Sequence, residues 1–232
     1  MDSFSELVLS RVISQGPRNE PTSFRNLNDI LDGGLPKGRL IEIYGRSQIG
    51  KSILAINLFP NKFICFFDLS RKLCTDYLNP DICLAPPMDH NDIFEAINLV
   101  IKEDAIVIID DLTMLGKIDN DAERFKWLTR NFMTLQRNLA STEGMIIVLN
   151  QIRVSPGTGK SYNPHEGCLD AAVKIKMHFA EKKGDADLVY LDVEKHFWGK
   201  QGARCTLLVS KNSITVPTFY VPETIQESEL TL

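Results

Sequence analysis

The chain lacks any hydrophobic run of about 18 residues, the length a membrane-spanning helix needs. Its opening residues, MDSFSELVLSRVISQG, include acidic groups and show no charged-then-apolar-then-small order, which argues against a secretory signal. No membrane partner is expected, and the location expected is cytoplasmic. Cysteine is sparse: Cys65, Cys74, Cys83, Cys168 and Cys205 form an odd set with no C-x-x-C spacing. Buried thiols are therefore expected, without zinc or disulfides. The four histidines, His90, His165, His178 and His196, have no mutual ligand spacing, so surface or loop positions are the default. Basic residues are not in excess, with 26 Lys and Arg against 30 Asp and Glu and a net charge of −4. That excludes a uniformly basic nucleic-acid coat, but it leaves a local basic groove open, because binding depends on the face presented. No repeat or low-complexity tract is present.

What is present is enough apolar material, 44% of 232 residues, for one sizeable core. Within it stands GRSQIGKS: Gly45, Arg46, Ser47, Gln48, Ile49, Gly50, Lys51 and Ser52. The pattern G-x-x-x-x-G-K-[ST] is that of the P-loop. There, backbone N–H groups surround phosphates, the Lys reaches the β/γ oxygens and the Ser/Thr hydroxyl holds Mg²⁺. Such a loop must lie between a buried strand and a helix whose N-terminus faces the phosphates. The apolar, β-branched run 39–44 precedes it and the helix-compatible run 52–58 follows it. A turn that binds nothing would need one Gly and no Lys.

The rest of the chain fits the same architecture. Residues 7–13 can form a short amphipathic helix, broken by the Gly and Pro of 16–21. The arm 1–21 is thus expected to be an oligomerisation element or a frayed terminus. Helical pattern at 24–31 stops at Gly33, Gly34 and Pro36. Short β-rich runs at 62–68, 105–111 and 145–151 alternate with helix-period stretches at 92–102 and 121–139, which predicts a parallel sheet covered on both faces. Later runs at 172–178, 188–194, 205–211 and 218–221 follow one another through short polar turns and predict an antiparallel extension. Residues 22–222 form the expected core and 223–232 a loose tail.

The run 105–109 ends in Asp110 and Asp111. A carboxylate at the carboxyl edge of such a strand, downstream of a P-loop, is where an Asp holds Mg²⁺. Asp110 is the candidate metal residue beside Ser52, and Asp111 a supporting or capping group. ATP and Mg²⁺ are the cofactors implied.

With these elements located, the chain resembles the RecA/RadA family of ATP-dependent recombinases over about residues 25–220. The stretch Gly33, Gly34, Leu35, Pro36, Lys37, Gly38, Arg39 through Glu42, Ile43, Tyr44 and Gly45 is similar to the family's GGLPxGRxxEIYG. Asn150, Gln151, Ile152 and Arg153 match its NQIR, and Ser210, Lys211 and Asn212 resemble its late VxKNK strand. The fold implied is α/β: a RecA-like P-loop core with a mostly parallel sheet flanked by helices and antiparallel strands at the C-terminal end. The resemblance implies that Gln151 senses the γ-phosphate, that Lys211 reaches a neighbouring subunit's ATP, and that Tyr77 stacks on adenine. It also implies that the loop 154–169 binds single-stranded DNA within a filament. That loop is polar and glycine-containing, reads as mobile, and carries cations and one aromatic. Arg153 and Lys160 are the preferred phosphate contacts and Tyr162 the stacking group, with Lys126, Thr129 and Arg130 as further contacts. Phe125, Trp127, Phe132 and Leu135 on the same stretch have core spacing.

Three departures matter. The family's catalytic Glu, two residues after the Asp of the second strand, is replaced by Ser70, and a serine hydroxyl is a poor general base. Either Asp68 takes over, or hydrolysis is slow and ATP acts as a glue between subunits. Ser213 stands where a second lysine is expected, and the first DNA loop is shortened to 115–120. The bacterial C-terminal domain is expected to be missing; the small size resembles the short recombinases of phages, so the cytoplasm expected is that of a bacterial or phage-infected cell. The function implied is an ATPase that forms filaments on single-stranded DNA and promotes pairing, annealing or strand exchange with a homologous strand or duplex. Single-strand-binding protein or other replication and recombination factors are possible partners. The alternative is a non-hydrolysing accessory paralogue that loads or caps another recombinase. A RecA-fold regulator or motor outside recombination fits the motifs less well.

Overall fold

Why the apolar runs become strands is visible in how their side chains alternate. The computed structural model describes residues 18–71, 73, 81–115, 121–155, 157–163, 166–196, 201–210, 213–217 and 223–224. In chain order, β1 (Asn19–Glu20) pairs antiparallel with β2 (Leu35–Pro36), and α1 (Arg25–Ile30) lies between them. Then come β3 (Arg39–Gly45), α2 (Lys51–Asn57), β4 (Ile64–Asp68), β5 (Ile82–Leu84), α3 (His90–Val100), β6 (Ile106–Asp110), α4 (Asp121–Leu139) and β7 (Met145–Gln151). The short strands β8 (Arg153–Val154) and β9 (Ser161–Tyr162) form a hairpin. The long strands β10 (Val173–Lys183), β11 (Ala186–His196) and β12 (Ala203–Val209) follow, with β13 (Ile214–Thr215) and β14 (Glu223–Thr224) at the end.

The main sheet has the order β13-β12-β11-β10-β3-β7-β6-β4-β5, with β14 on β12. Pairings from β10 through β3, β7, β6, β4 and β5 are parallel, and those from β10 to β13 are antiparallel. Its parallel half is buried on both faces, as crossover helices require. Ile41, Ile43, Ile64, Phe66, Ile106, Ile108, Ile147 and Leu149 face α1 and α2 through Leu27, Ile30, Leu54 and Leu58. The intervening residues Leu40, Cys65, Phe67, Val107, Ile109, Ile146 and Val148 face α3 and α4 through Ile93, Ile97, Leu128, Phe132 and Leu135. Period-2 side-chain direction therefore builds two cores from one set of strands.

In the antiparallel half only one face is apolar: Val173, Ile175, Met177, Val189, Leu191, Val193, Cys205 and Leu207 join the first core. The other face is a lattice of charges. Arg204 donates to both Asp192 oxygens at 2.6 and 3.2 Å and lies 4.7 Å from the centre of the Tyr190 ring. His178 meets Asp192 at 2.7 Å. Burial pushes the Asp192 carboxyl up, but these two partners outweigh it and leave the pKa below the ordinary value.

Most expected elements appear within a few residues, and the differences have physical reasons. The helix expected at 92–102 starts at His90 and ends at Val100, because the chain tightens into a 3-10 turn over Ile101–Glu103. Histidines expected at surface or loop positions instead sit on strands: His178 on β10, and His196 buried at the end of β11. The edge strand β5 was not anticipated, since three residues carry too short a pattern to read. Phe125, grouped with core residues by spacing, is 40% exposed, whereas Phe132 and Leu135 are buried. Glu223–Thr224, the start of the expected tail, pairs with β12. The helix expected at 7–13 and the run 218–221 lie outside the described residues. Cys65, Cys168 and Cys205 are buried and Cys83 is exposed; burial pushes the Cys65 and Cys168 thiols up to about 11 and 12. Among the described residues no helix is long and apolar enough to cross a membrane.

Phe132 is 1% exposed and its ring meets Phe94 edge-on at 5.5 Å, while Phe94 meets Trp127 at 5.2 Å. Replacing Phe132 by Ala is expected to cost about 3–5 kcal/mol in denaturant unfolding. The exposed Lys126 on the same helix, changed to Ala, is expected to shift stability by no more than about 0.5 kcal/mol.

Candidate nucleotide site

Register decides where chemistry gathers. Gly45 pairs with Gln151 across β3 and β7, and Asp68 pairs with Asp110 across β4 and β6. Four strand ends thus meet at one carboxyl edge, the usual ligand crevice of an open α/β sheet.

Between β3 and α2 the chain turns through residues 45–50. A Cβ at Gly45 would lie 2.5 Å from the Met177 carbonyl oxygen, and Gly50, at φ +94, would drive one to 2.6 Å from Val209 Cγ1. Neither position tolerates a side chain without a shift. Arg46, Ser47 and Gln48 are exposed, while Ile49 is buried as the anchor of the turn. Helix α2 starts at Lys51 with no side-chain cap, so its first N–H groups remain available toward the loop.

Lys51 is 9% exposed, and its ammonium donates to the carbonyl oxygens of Arg46 at 2.8 Å and Gly45 at 3.3 Å. Among the described residues no carboxylate forms an ion pair with it. Burial pulls its pKa down, against the pull of Asp110 and Asp111. The next residue, Ser52, donates its hydroxyl to Asp110 Oδ2. Asp110 is also 9% exposed. Burial raises its pKa, the Ser52 bond opposes that, and Asp111 and Asp68 add repulsion. The residues fit a magnesium nucleotide: a buried cation held by two carbonyls, uncapped N–H groups, and a hydroxyl and carboxyl of the hard-oxygen type that Mg²⁺ prefers.

Asp68 and Asp111 are engaged locally. Asp68 Oδ1 accepts from the Ser70 hydroxyl at 3.1 Å and Oδ2 from the Leu73 N–H at 2.9 Å. Asp111 Oδ1 accepts from the Thr113 N–H at 2.7 Å and caps the 3-10 turn Leu112–Met114. Tyr77 and Lys211 lie outside the described residues.

Gln151 is half-buried at the end of β7, and its N–H donates to Asn150 Oδ1 at 2.9 Å. The segment expected to be a mobile loop begins as the β8–β9 hairpin, in which Arg153 pairs with Tyr162. Its tip is closed by Ser155 N–H donating to Lys160 O and Gly159 N–H donating to Ser155 O, both at 2.9 Å. Arg153, Lys160 and Tyr162 are exposed. On α4, Lys126 and Arg130 are exposed, whereas the Thr129 hydroxyl donates to the Phe125 carbonyl at 2.8 Å. A Cβ on Gly167 would touch the Phe125 ring at 3.0 Å, so the start of α4 lies against the end of the 154–169 segment.

One arrangement escaped the sequence reading. Glu42, fully buried in β3, accepts from Asn150 Nδ2 at 3.0 Å and from Asn163 Nδ2 at 2.8 Å. The signal was a lone acidic residue inside an apolar strand run.

The comparisons bear on this geometry. No protein-family model matches the chain. It is similar to Protein RecA of Mycoplasma genitalium, 25% identical over 219 residues, 84% of this chain and 63% of that protein. Protein RecA of Gloeothece citriformis is 26% identical over 85% of this chain and 60% of that protein. The plasmid Protein RecA of Lactococcus lactis subsp. lactis is 24% identical over 80% and 58%. A crystal structure of the RadB recombinase superposes with a TM-score of 0.68 at 19% identity, covering 83% of this chain and 97% of that one. In sequence and in fold the chain is thus similar to RecA-type recombinases. It spans about three-fifths of the length of these RecA relatives, and its fold is the RecA-like one.

Because its pKa lies above the ordinary carboxyl value, Asp110 titrates at higher pH in the folded than in the unfolded chain. It therefore adds a cost to folding that appears as pH rises from the unfolded value through the raised one. Asp110→Asn removes that cost. The nucleotide-free variant is expected to unfold at pH 7 no lower in temperature than the parent, while Mg²⁺-dependent nucleotide binding is lost. Calorimetry with and without Mg-ATP checks both.

Proposed function

We propose that the chain is an ATP-dependent, single-stranded-DNA-binding recombinase core that assembles with copies of itself and promotes pairing, annealing or strand exchange with a homologous strand. The observation that carries it is the buried Lys51 ammonium beside the Ser52–Asp110 pair, on the sheet edge from which the cationic β8–β9 hairpin springs. A buried ammonium whose partners among the described residues are two carbonyls calls for an anion. Lys51 and the N–H groups of Ser47 to Ser52 would hold the β- and γ-phosphates, and Ser52 with Asp110 would hold Mg²⁺. Bound Mg-ATP supplies a cleavable phosphoryl bond and the charge that makes assembly nucleotide-dependent.

Gln151, aligned with Gly45, is suited to hydrogen-bond the γ-phosphate and to relay its loss to the segment that follows. Arg153 and Lys160 are suited to DNA phosphates and Tyr162 to a base face. Lys126 and Arg130 offer two more cations, while the Thr129 hydroxyl must first leave the Phe125 carbonyl. Tyr77 is proposed for the adenine and Lys211 for the neighbouring subunit's nucleotide. Asp68 is the proposed water-orienting group. Because it already accepts from Ser70 and Leu73, it is a weakened base, and turnover is expected to be slow. The same observation favours a second reading, an accessory paralogue that binds ATP without hydrolysing it.

ATP hydrolysis with and without single-stranded DNA, beside Lys51→Ala and electron microscopy of the same samples, separates the two. A recombinase gives DNA-stimulated turnover and filaments on DNA. Loss of the Lys51 ammonium is expected to weaken ATP binding about 10- to 100-fold, the worth of a charge-assisted hydrogen bond. Binding without turnover, and short oligomers only, supports the paralogue. Arg153→Ala and Lys160→Ala are each expected to flatten the log–log salt dependence of single-stranded-DNA binding by about 0.7, one phosphate contact apiece.

A further inference from the structure

We propose that Glu42 is a positioning residue that fastens the DNA-binding segment to the nucleotide strand, so that occupancy of one site is felt at the other. The inference rests on the reading above and names how its two sites would be coupled. Glu42 lies three residues before Gly45 on β3, the strand that enters the P-loop. Its side chain is fully buried on the face of the sheet opposite α2, in line with Leu40 and Tyr44. Toward the carboxyl edge this face changes from a hydrocarbon core to a polar layer of Glu42, Asn150, Asn163 and Lys174.

In that layer one carboxyl oxygen of Glu42 joins two elements. Oε1 accepts from Asn150 on β7 and from Asn163, the residue after β9. Asn150 also donates to Asn163 Oδ1 at 2.6 Å and accepts from the Gln151 N–H at 2.9 Å. Both amide donors of Asn150 and one lone pair of its oxygen are thereby used. Among the described residues Oε2 makes no hydrogen bond, and it lies 3.7 Å from Lys174 Nζ on β10. A buried polar group is costly to leave unpaired, so the cluster has few compatible arrangements. Gln151 projects to the other face of β7, the face of α2 and the P-loop, because side chains alternate. A movement of Gln151 pulls on Asn150 through the backbone N–H it shares with it, and Asn150 cannot move without disturbing Asn163. The 154–169 segment thus feels the nucleotide side through Asn150, with Glu42 as the fixed post against which both amides are set.

Three single variants and one double variant test this, with wild-type protein measured in parallel. Asn163→Ala removes the loop's side of the fastening from a half-buried loop position. Glu42→Ala removes the post, and Glu42→Gln restores an amide oxygen where Oε1 stands. The readout is the ratio of single-stranded-DNA affinities without and with Mg-ATP, alongside Mg-ATP affinity without DNA. For wild type a ratio of about 5–150, the usual span of coupling between sites, is expected. Asn163→Ala and Glu42→Ala are expected to bring it to within about twofold of one while Mg-ATP affinity without DNA stays within about threefold. Glu42→Gln is expected to keep most of the ratio, and the double Ala variant is expected to lose no more than either single one. Should Glu42→Ala fail to fold, Asn163→Ala and Glu42→Gln still decide the matter. A wild-type ratio retained in Asn163→Ala overturns the proposal, as does an unfolding temperature that falls with the ratio intact. A wild type that binds no single-stranded DNA overturns the recombinase reading itself, a result distinct from either.

Discussion

Parallel register across the centre of the sheet is the constraint on which everything else depends. Because β3, β7, β6 and β4 run the same way and end together, Gly45, Gln151, Asp110 and Asp68 finish at one edge. An antiparallel pairing at any of these positions would send one of them to the opposite end, about 20 Å away for a strand of this length. The glycines follow from the same geometry. Gly45 has no room for a side chain because β10 runs parallel beside β3 and presents the Met177 carbonyl there. Hydrophobic burial on both faces holds the register, since a slip of one residue would exchange the two cores.

That edge concentrates groups that a packed interior would normally exclude. Lys51 and Asp110 are each nine-tenths buried, yet each pKa moves in the direction that disfavours its charge. Folding energy from the two cores sustains this arrangement, as sites built for binding commonly require. The proposed role of nucleotide is to supply the charges and metal that the edge is short of. A Ser70 hydroxyl turned onto Asp68 leaves the proposed binding groups untouched and engages the group proposed to orient water. Under the proposed function, nucleotide binding with slow turnover is the behaviour expected.

Much of the fold was legible because it rests on patterns local in sequence. The runs 145–151 and 121–139 were read to the residue as β7 and α4, the first from continuous β-branched residues and the second from a long 3.6 periodicity. GRSQIGKS carried its own context of strand, loop and helix. What escaped depends on contacts distant in sequence. The bonds from Glu42 to Asn150 and Asn163 join residues 108 and 121 positions apart, and only the register of β3 with β7 brings them together. The β8–β9 hairpin was read as loop because its two-residue strands are too short to show a period and the connection 155–160 is rich in Gly, Ser and Lys. Phe125 was misjudged because a helix spacing gives a face, not its depth beneath the next segment.

Titration calorimetry of ATP into the purified protein, with Mg²⁺ present and then withheld, tests the central claim most directly. The account predicts one nucleotide per chain, bound more weakly by about tenfold or more without Mg²⁺, because Ser52 and Asp110 then meet the phosphates with no cation between them. Absence of saturable binding in either condition would contradict it, and would leave the buried Lys51 as a structural cation satisfied by the Arg46 and Gly45 carbonyls alone.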